Sequence, residues 1–179
     1  MSFLDKVIGA VTPPESEETR LKARDRARVE RPPGHWLTTI IDHHEQLEQA
    51  FAEVKQAGDA ASRRQAQQRL WLMFLDHSNA EEAMLYPELA QNHKTEASMA
   101  YEEQQMTKVQ FALLDKIDPM SQDYLDKFEH IRGAVTHHMY QEESDWFLEL
   151  ASELPERDQE EMARRYRDEI ARCTGSGLA

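Results

Sequence analysis

One cysteine, Cys173, stands in 179 residues, so no internal disulfide framework can form. That usage suits a reducing compartment. Positive charge is short: 21 Lys and Arg face 34 Asp and Glu, for a net charge of −13. Nucleic acid and anionic lipid both call for a cationic footprint, so neither is expected as a partner. No run of 18 apolar residues is present, and a membrane-spanning helix is excluded with it. The start, Met1-Ser2-Phe3-Leu4-Asp5-Lys6, lacks the apolar core of a secretory signal, which makes the cytoplasm the expected address. Glycine (6) and proline (7) are scarce, no segment alternates as a strand does, and no Gly-rich phosphate loop occurs. No Ser/His/Asp or Cys/His arrangement suggests a nucleophile.

What is abundant is Glu, Gln, Ala, Leu and Met, the composition of an all-α domain. Three segments are expected. Residues 1–33 carry a short amphipathic stripe (Phe3, Leu4, Val7, Ile8, Val11), then a charged arm from Glu15 to Arg31 that buries little and reads as solvated. Residues 34–154 hold four apolar helical patterns. The first starts at Trp36 and stops near Gly58. The second is capped by Asp59 and kinked or ended by Pro87. The third runs from about Thr95 to Ile117 through Met99, Met106, Val109, Leu113 and Leu114, with an inward stripe of Met99, then Glu102 or Glu103, then Met106. The fourth is capped by Ser121 and stops before Pro155. Short connections between long helices predict an up-down-up-down four-helix bundle. Residues 155–179 read as a short charged helix over about 156–172 and a Gly/Ser tail.

Within that pattern one motif occurs twice. His77 is followed four residues later by Glu81-Glu82, and His138, 61 residues further on, by Glu142-Glu143. On a helix, side chains at i and i+4 share a face, their Cβ atoms about 5–6 Å apart. Both pairs lie in register with apolar residues: His77 with Leu70, Met73 and Met84, and His138 with Ile131, Val135 and Trp146. Buried carboxylates need a partner, because desolvating a lone charge is expensive. Two inward His–Glu pairs facing each other call for a cation; the plainer alternative is a hydrogen-bonded polar layer. The first helix adds His44, in register with Ile40, Leu47 and Phe51, while His43 fits almost as well. His35, His93 and His130 read as exposed histidines. Glu82 and Glu143 are expected beside the site or in solvent.

A histidine on the first helix, then His-x-x-x-Glu-Glu with Leu85-Tyr86-Pro87, then a second His-x-x-x-Glu-Glu, resembles the hemerythrin-like (HHE) cation-binding family over about residues 35–152. The resemblance implies a four-helix bundle holding two non-haem iron ions, bridged by an oxo or hydroxo group. His44, His77, Glu81, His138 and Glu142 would be ligands, with the carboxylates able to bridge. The third helix departs from the family pattern, having no histidine between Thr95 and Ile117. The family's ligand there sits three residues before an apolar one; Glu103 precedes Met106 by three and takes the place, with Glu102 as the alternative and Tyr101 and Gln104 beside it.

Three histidines and three carboxylates form a hard set that favours ferric iron and also admits manganese; zinc is a further candidate. The expected function is a non-haem di-iron protein that reacts with or senses oxygen, peroxide or nitric oxide, or that handles iron, with a small diatomic molecule or peroxide as its partner. Reversible oxygen carriage fits less well. No substrate pocket can be read, so catalysis is left open. The alternative, from another class, is a metal-free helical interaction module with a protein partner or a second copy of the chain. A ferritin-like ferroxidase fits poorly, since that fold pairs Glu-x-x-His at three-residue spacing.

Overall fold

The structure is a computed structural model describing residues 15–29, 31 and 34–176. The stripe expected at Phe3 to Val11 lies outside the described residues. Regular structure among the described residues is helical throughout: α1 (Glu17–Val29), α2 (Trp36–Gln56), α3 (Ala60–Met84), the single turn α4 (Tyr86–Leu89), α5 (Lys94–Leu114), α6 (Gln122–Gln141), a π-helical turn (Glu142–Trp146), α7 (Phe147–Glu153) and α8 (Glu156–Ser176). The four long elements α2, α3, α5 and α6–α7 form an up-down-up-down bundle, α2 packing on α3 and α6, and α5 on α3 and α6.

Local chemistry sets the ends. Gly34, at φ +85°, takes the left-handed turn that a Cβ would disfavour. His35 then caps α2 by accepting from the Leu37 N–H at 3.1 Å, rather than sitting exposed as expected. Asp59 and Ser62 form a capping box at α3, and Ser121 accepts from the Tyr124 N–H at 3.2 Å to start α6. The Arg63 guanidinium ties two connections together through the carbonyls of Ala57 (2.7 Å) and Pro119 (2.8 Å). Pro87 ends α3 as anticipated, but the chain stays helical through α4, so Tyr86 turns inward.

The apolar interior is in two parts. One cluster joins Leu47, Phe51, Leu70, Phe74, Phe111 and Phe128; the other joins Trp36, Ile40, Ala80, Leu85, Phe147 and Tyr166. Each such large side chain contributes about 1.5–3 kcal/mol by leaving water. Between the clusters lies a polar layer, because His44 falls between Ile41 and Leu47 on α2, and His77 between Phe74 and Ala80 on α3.

Three elements differ from the expectation. The arm is not solvated: α1 buries Ala27 fully and leaves Arg24 only 4% exposed. The C-terminal helix is not a short appendage but 21 residues long, packed on α2 and α3 with Met162, Ala163 and Tyr166 buried. On α5 the buried face is Ala97, Ala100, Gln104, Thr107, Phe111 and Leu114, so Met99, Val109 and Leu113 are exposed. The facing layer is polar, and the inward stripe therefore carries amides and a hydroxyl where apolar periodicity pointed to the neighbouring face.

Candidate metal centre

Four elements supply the histidines and carboxylates that meet in the layer. His44 comes from α2, His77 and Glu81 from α3, His138 from the last turn of α6, and Glu142 from the start of the π turn. That turn is closed by the Phe147 N–H donating to the Glu142 carbonyl five residues back. The wider turn buries Glu142, Glu143 and Trp146 together.

His44, His77, Glu81 and Glu142 each offer one donor atom, all within 4.8 Å of one another. His44 Nε2 lies 3.4 Å from Glu142 Oε2 and 3.7 Å from Glu81 Oε1; His77 Nε2 lies 3.2 Å from Glu81 Oε2. Glu81 and Glu142 are fully buried. His44 Nε2, Glu81 Oε1 and Glu142 Oε2 have no hydrogen-bond partner although all three are buried. Unpaired buried polar atoms are costly, and three aimed at one another suit a cation that all three can share. The residues therefore fit a metal ion.

The opposite side of the two carboxylates is filled differently. The Tyr86 hydroxyl lies 2.9 Å from Glu142 Oε1, 3.0 Å from His138 Nε2 and 3.3 Å from Glu81 Oε2. His138 Nε2 is 3.2 Å from Glu142 Oε1. Gln104 donates its amide to the Tyr86 oxygen (2.6 Å) and Glu81 Oε2 (2.7 Å). Donors about 3 Å apart are spaced as neighbours around an ion at about 2.1 Å.

Each of the three imidazoles turns Nε2 to the centre and Nδ1 outward. His44 Nδ1 meets Glu143 Oε1 at 2.8 Å, His138 Nδ1 meets Glu103 Oε2 at 2.7 Å, and His77 Nδ1 meets the Tyr166 hydroxyl at 3.3 Å. An outer acceptor holds the proton on Nδ1 and frees Nε2 for a metal. Glu143 is itself held by Arg24 of α1, at 3.0 Å.

The electrostatics are those of a layer seeking a cation. Burial, then the charge of Glu142, raises the Glu81 pKa to about 7. Burial would raise Glu142 too, but His138 and His44 hold it well below the ordinary range. Burial opposes charge on His138, yet Glu142 and Glu103 lift it to about 10. His44 is also raised, the nearness of the Glu142, Glu143 and Glu81 carboxylates outweighing burial. Burial, then the charge of His44, pushes His77 well below its ordinary value and keeps it neutral.

Of the residues expected from sequence, His44, His77, Glu81, His138 and Glu142 meet in this layer. Glu103 does not reach the carboxylate pair; it stands behind His138, and the next residue, Gln104, points to the centre. Of the adjacent histidines, His44 enters and His43 is directed to the Tyr166 hydroxyl at 3.1 Å. Sequence assigns no role to Tyr86, Arg24 or Tyr166, and leaves Glu143 open between the site's edge, where it lies, and solvent. Tyr86 had a signal, its place directly after the first motif. Arg24 and Tyr166 sit in charged segments whose patterns announce no buried face.

Residues 36–169 match the Hemerythrin HHE cation binding domain. The chain belongs to this family. The match runs past the four-helix bundle into α8, in keeping with that helix packing on α2 and α3. The crystal structure of a hemerythrin HHE cation binding domain-containing protein from Mycobacterium kansasii superposes with a TM-score of 0.69 at 19% identity, covering 78% of this chain and 86% of that one. At that identity the likeness shows the fold. A DNA nickase from Nostoc sp. is 23% identical over 125 residues, 69% of this chain but only 36% of the nickase. The HHE chain thus spans about a third of that relative.

Proposed function

We propose that this hemerythrin-like chain holds two metal ions, preferably iron, between its apolar clusters, and that it reacts there with oxygen, peroxide or nitric oxide, or senses them. The observation that carries the reading is the convergence of the unpartnered His44 Nε2, Glu81 Oε1 and Glu142 Oε2 in a buried layer. One position would take His44, His77, Glu81 and Glu142. The other would take His138, Tyr86 and the remaining oxygens of the two shared carboxylates. Glu103 and Glu143 would orient imidazoles rather than bind metal.

Bound iron supplies a redox couple and an open position for a small ligand. The protein's part is to fix the donors and keep water out. Trp146 is buried edge-on to His138, ring centroids 6.0 Å apart, and the two apolar clusters, with Phe74 in one and Ala80 in the other, flank the layer. Carboxylates, and a phenol that gives up its proton on binding the metal, are hard anionic donors that favour the ferric state, which weighs against reversible oxygen carriage and leaves manganese as a substitute. The nickase activity is not carried over: the shared stretch is a minor part of that protein, and a net charge of −13 offers no cationic footprint.

Metal analysis tests the reading on protein expressed with iron and purified without a polyhistidine tag. About two iron ions per chain are expected, as in carboxylate-bridged bundles. The ferrous protein, mixed separately with oxygen, peroxide and nitric oxide, should change its absorption with at least one. Protein that binds neither iron, manganese nor zinc overturns the proposal.

A further inference from the structure

Tyr166 is fully buried and comes from α8, outside the four-helix bundle. Its ring packs in the same apolar cluster as Trp36 and Phe147. A phenylalanine would fill that space without burying a hydroxyl, whose desolvation is repaid only by hydrogen bonds. The hydroxyl has two such partners: His77 Nδ1 at 3.3 Å and His43 Nδ1 at 3.1 Å. It is the only hydrogen-bond partner of His77 Nδ1 among the described residues.

The donors and acceptors admit one ordering consistent with a metal on His77. A ligating Nε2 must be unprotonated, so the His77 proton sits on Nδ1 and needs an acceptor. The phenol oxygen accepts it. The phenol proton is then donated to His43 Nδ1, which makes the half-buried His43 the end of the chain, with its own proton on Nε2. We propose that Tyr166 is the positioning residue for His77, so that the C-terminal helix is a working part of the metal centre. The inference rests on the metal-binding reading above. It also sets His77 apart: His44 and His138 are backed by carboxylates, which strengthen an imidazole as a donor, and His77 by a neutral phenol.

The test uses the full chain, Zn2+ as a diamagnetic probe and Fe2+ under anaerobic conditions. In zinc-loaded wild type, long-range 1H–15N spectra should show His77 bound through Nε2 with a slowly exchanging proton on Nδ1. Tyr166→Phe should lower affinity for both ions by about 10- to 100-fold, the range for loss of an outer partner. The His77 Nδ1 proton should then exchange faster, with the far-UV spectrum of the metal-free protein unchanged. His43→Gln, which leaves the phenol in place, should have the smaller effect. A His77 proton on Nε2 in the wild type overturns the proposal whether or not the variant folds. So does Tyr166→Phe with unchanged affinity and unchanged exchange. Wild type that binds neither ion instead contradicts the metal-binding reading.

Discussion

On α3 the residue after the motif's first carboxylate, Glu82, reaches Lys108 at 2.6 Å and Gln105 at 3.0 Å, near the surface. On the π turn the equivalent Glu143 is fully buried between Arg24 and His44. The same six-residue pattern is thus used in two ways. On α3 the second Glu faces solvent; on the π turn it lies under α1, buried between a cation and a proton donor. The shared part, His at i and Glu at i+4, meets in the middle in both copies. What surrounds it decides the rest: His77 is backed by a phenol from α8, and His138 by Glu103 of α5.

The widest gap between shared and unshared positions is expected in metal content. Glu142→Ala and Glu81→Ala should each lose most bound metal, and Glu82→Ala none, measured by metal analysis of purified protein. Glu143→Ala should come next. It takes from Arg24 its fully buried partner and from His44 its orienting acceptor, and should destabilise the fold by about 3 kcal/mol in urea titration. Glu48, at 3.0 Å from Arg24, keeps the effect from being larger. The matching change Glu82→Ala breaks a pair at the edge of solvent and should cost no more than about 1 kcal/mol. Equal losses for the two variants would erase the distinction between the copies.

A third contrast is in pH. At neutral pH the metal-free protein carries a proton on His138, whose pKa is about 10, and shares one at Glu81, near 7. A metal must displace them, so affinity should rise with pH, most steeply below pH 7, and calorimetry in buffers of different ionisation enthalpy should show proton release. For the metal-free fold the sign reverses. A histidine pKa raised on folding gives stability fully present below its unfolded value, about 6.5, and lost as pH rises through about 10. Glu81, raised by burial, acts in the same direction.

The smallest effect is expected at the outer partner of His138. Glu103→Gln keeps an acceptor but removes the charge, and should weaken metal binding by about 10-fold. His93→Ala, whose imidazole faces Glu149 and Glu153 away from the layer, should change nothing.

The bundle was legible because its helices carry strong apolar stripes and sharp ends: Asp59 and Ser121 cap where they were expected to, and Pro87 ends α3. The His–Glu pairs were legible because four-residue spacing fixes which side chains share a face. Glu103 was misplaced relative to the axis for a physical reason. The inward face of α5 holds Gln104, Thr107 and Gln110, while Met99, Val109 and Leu113 face outward. A stripe drawn through the apolar residues therefore turns by one position. The packing of the terminal helices on the bundle is not legible, because they bury few residues each. Arg24 and Tyr166 gain their meaning only from Glu143 and His77, far away in the chain. The π turn has no pattern in the letters at all.

The central claim is that two ions share Glu81 and Glu142 in one buried layer. Anomalous scattering at the iron edge, from crystals of the iron-loaded protein, tests it most directly. Two peaks are predicted, one among His44, His77 and the two carboxylates, the other beside His138 and Tyr86. Iron found outside this layer, or none in protein that has been fully loaded, would contradict it.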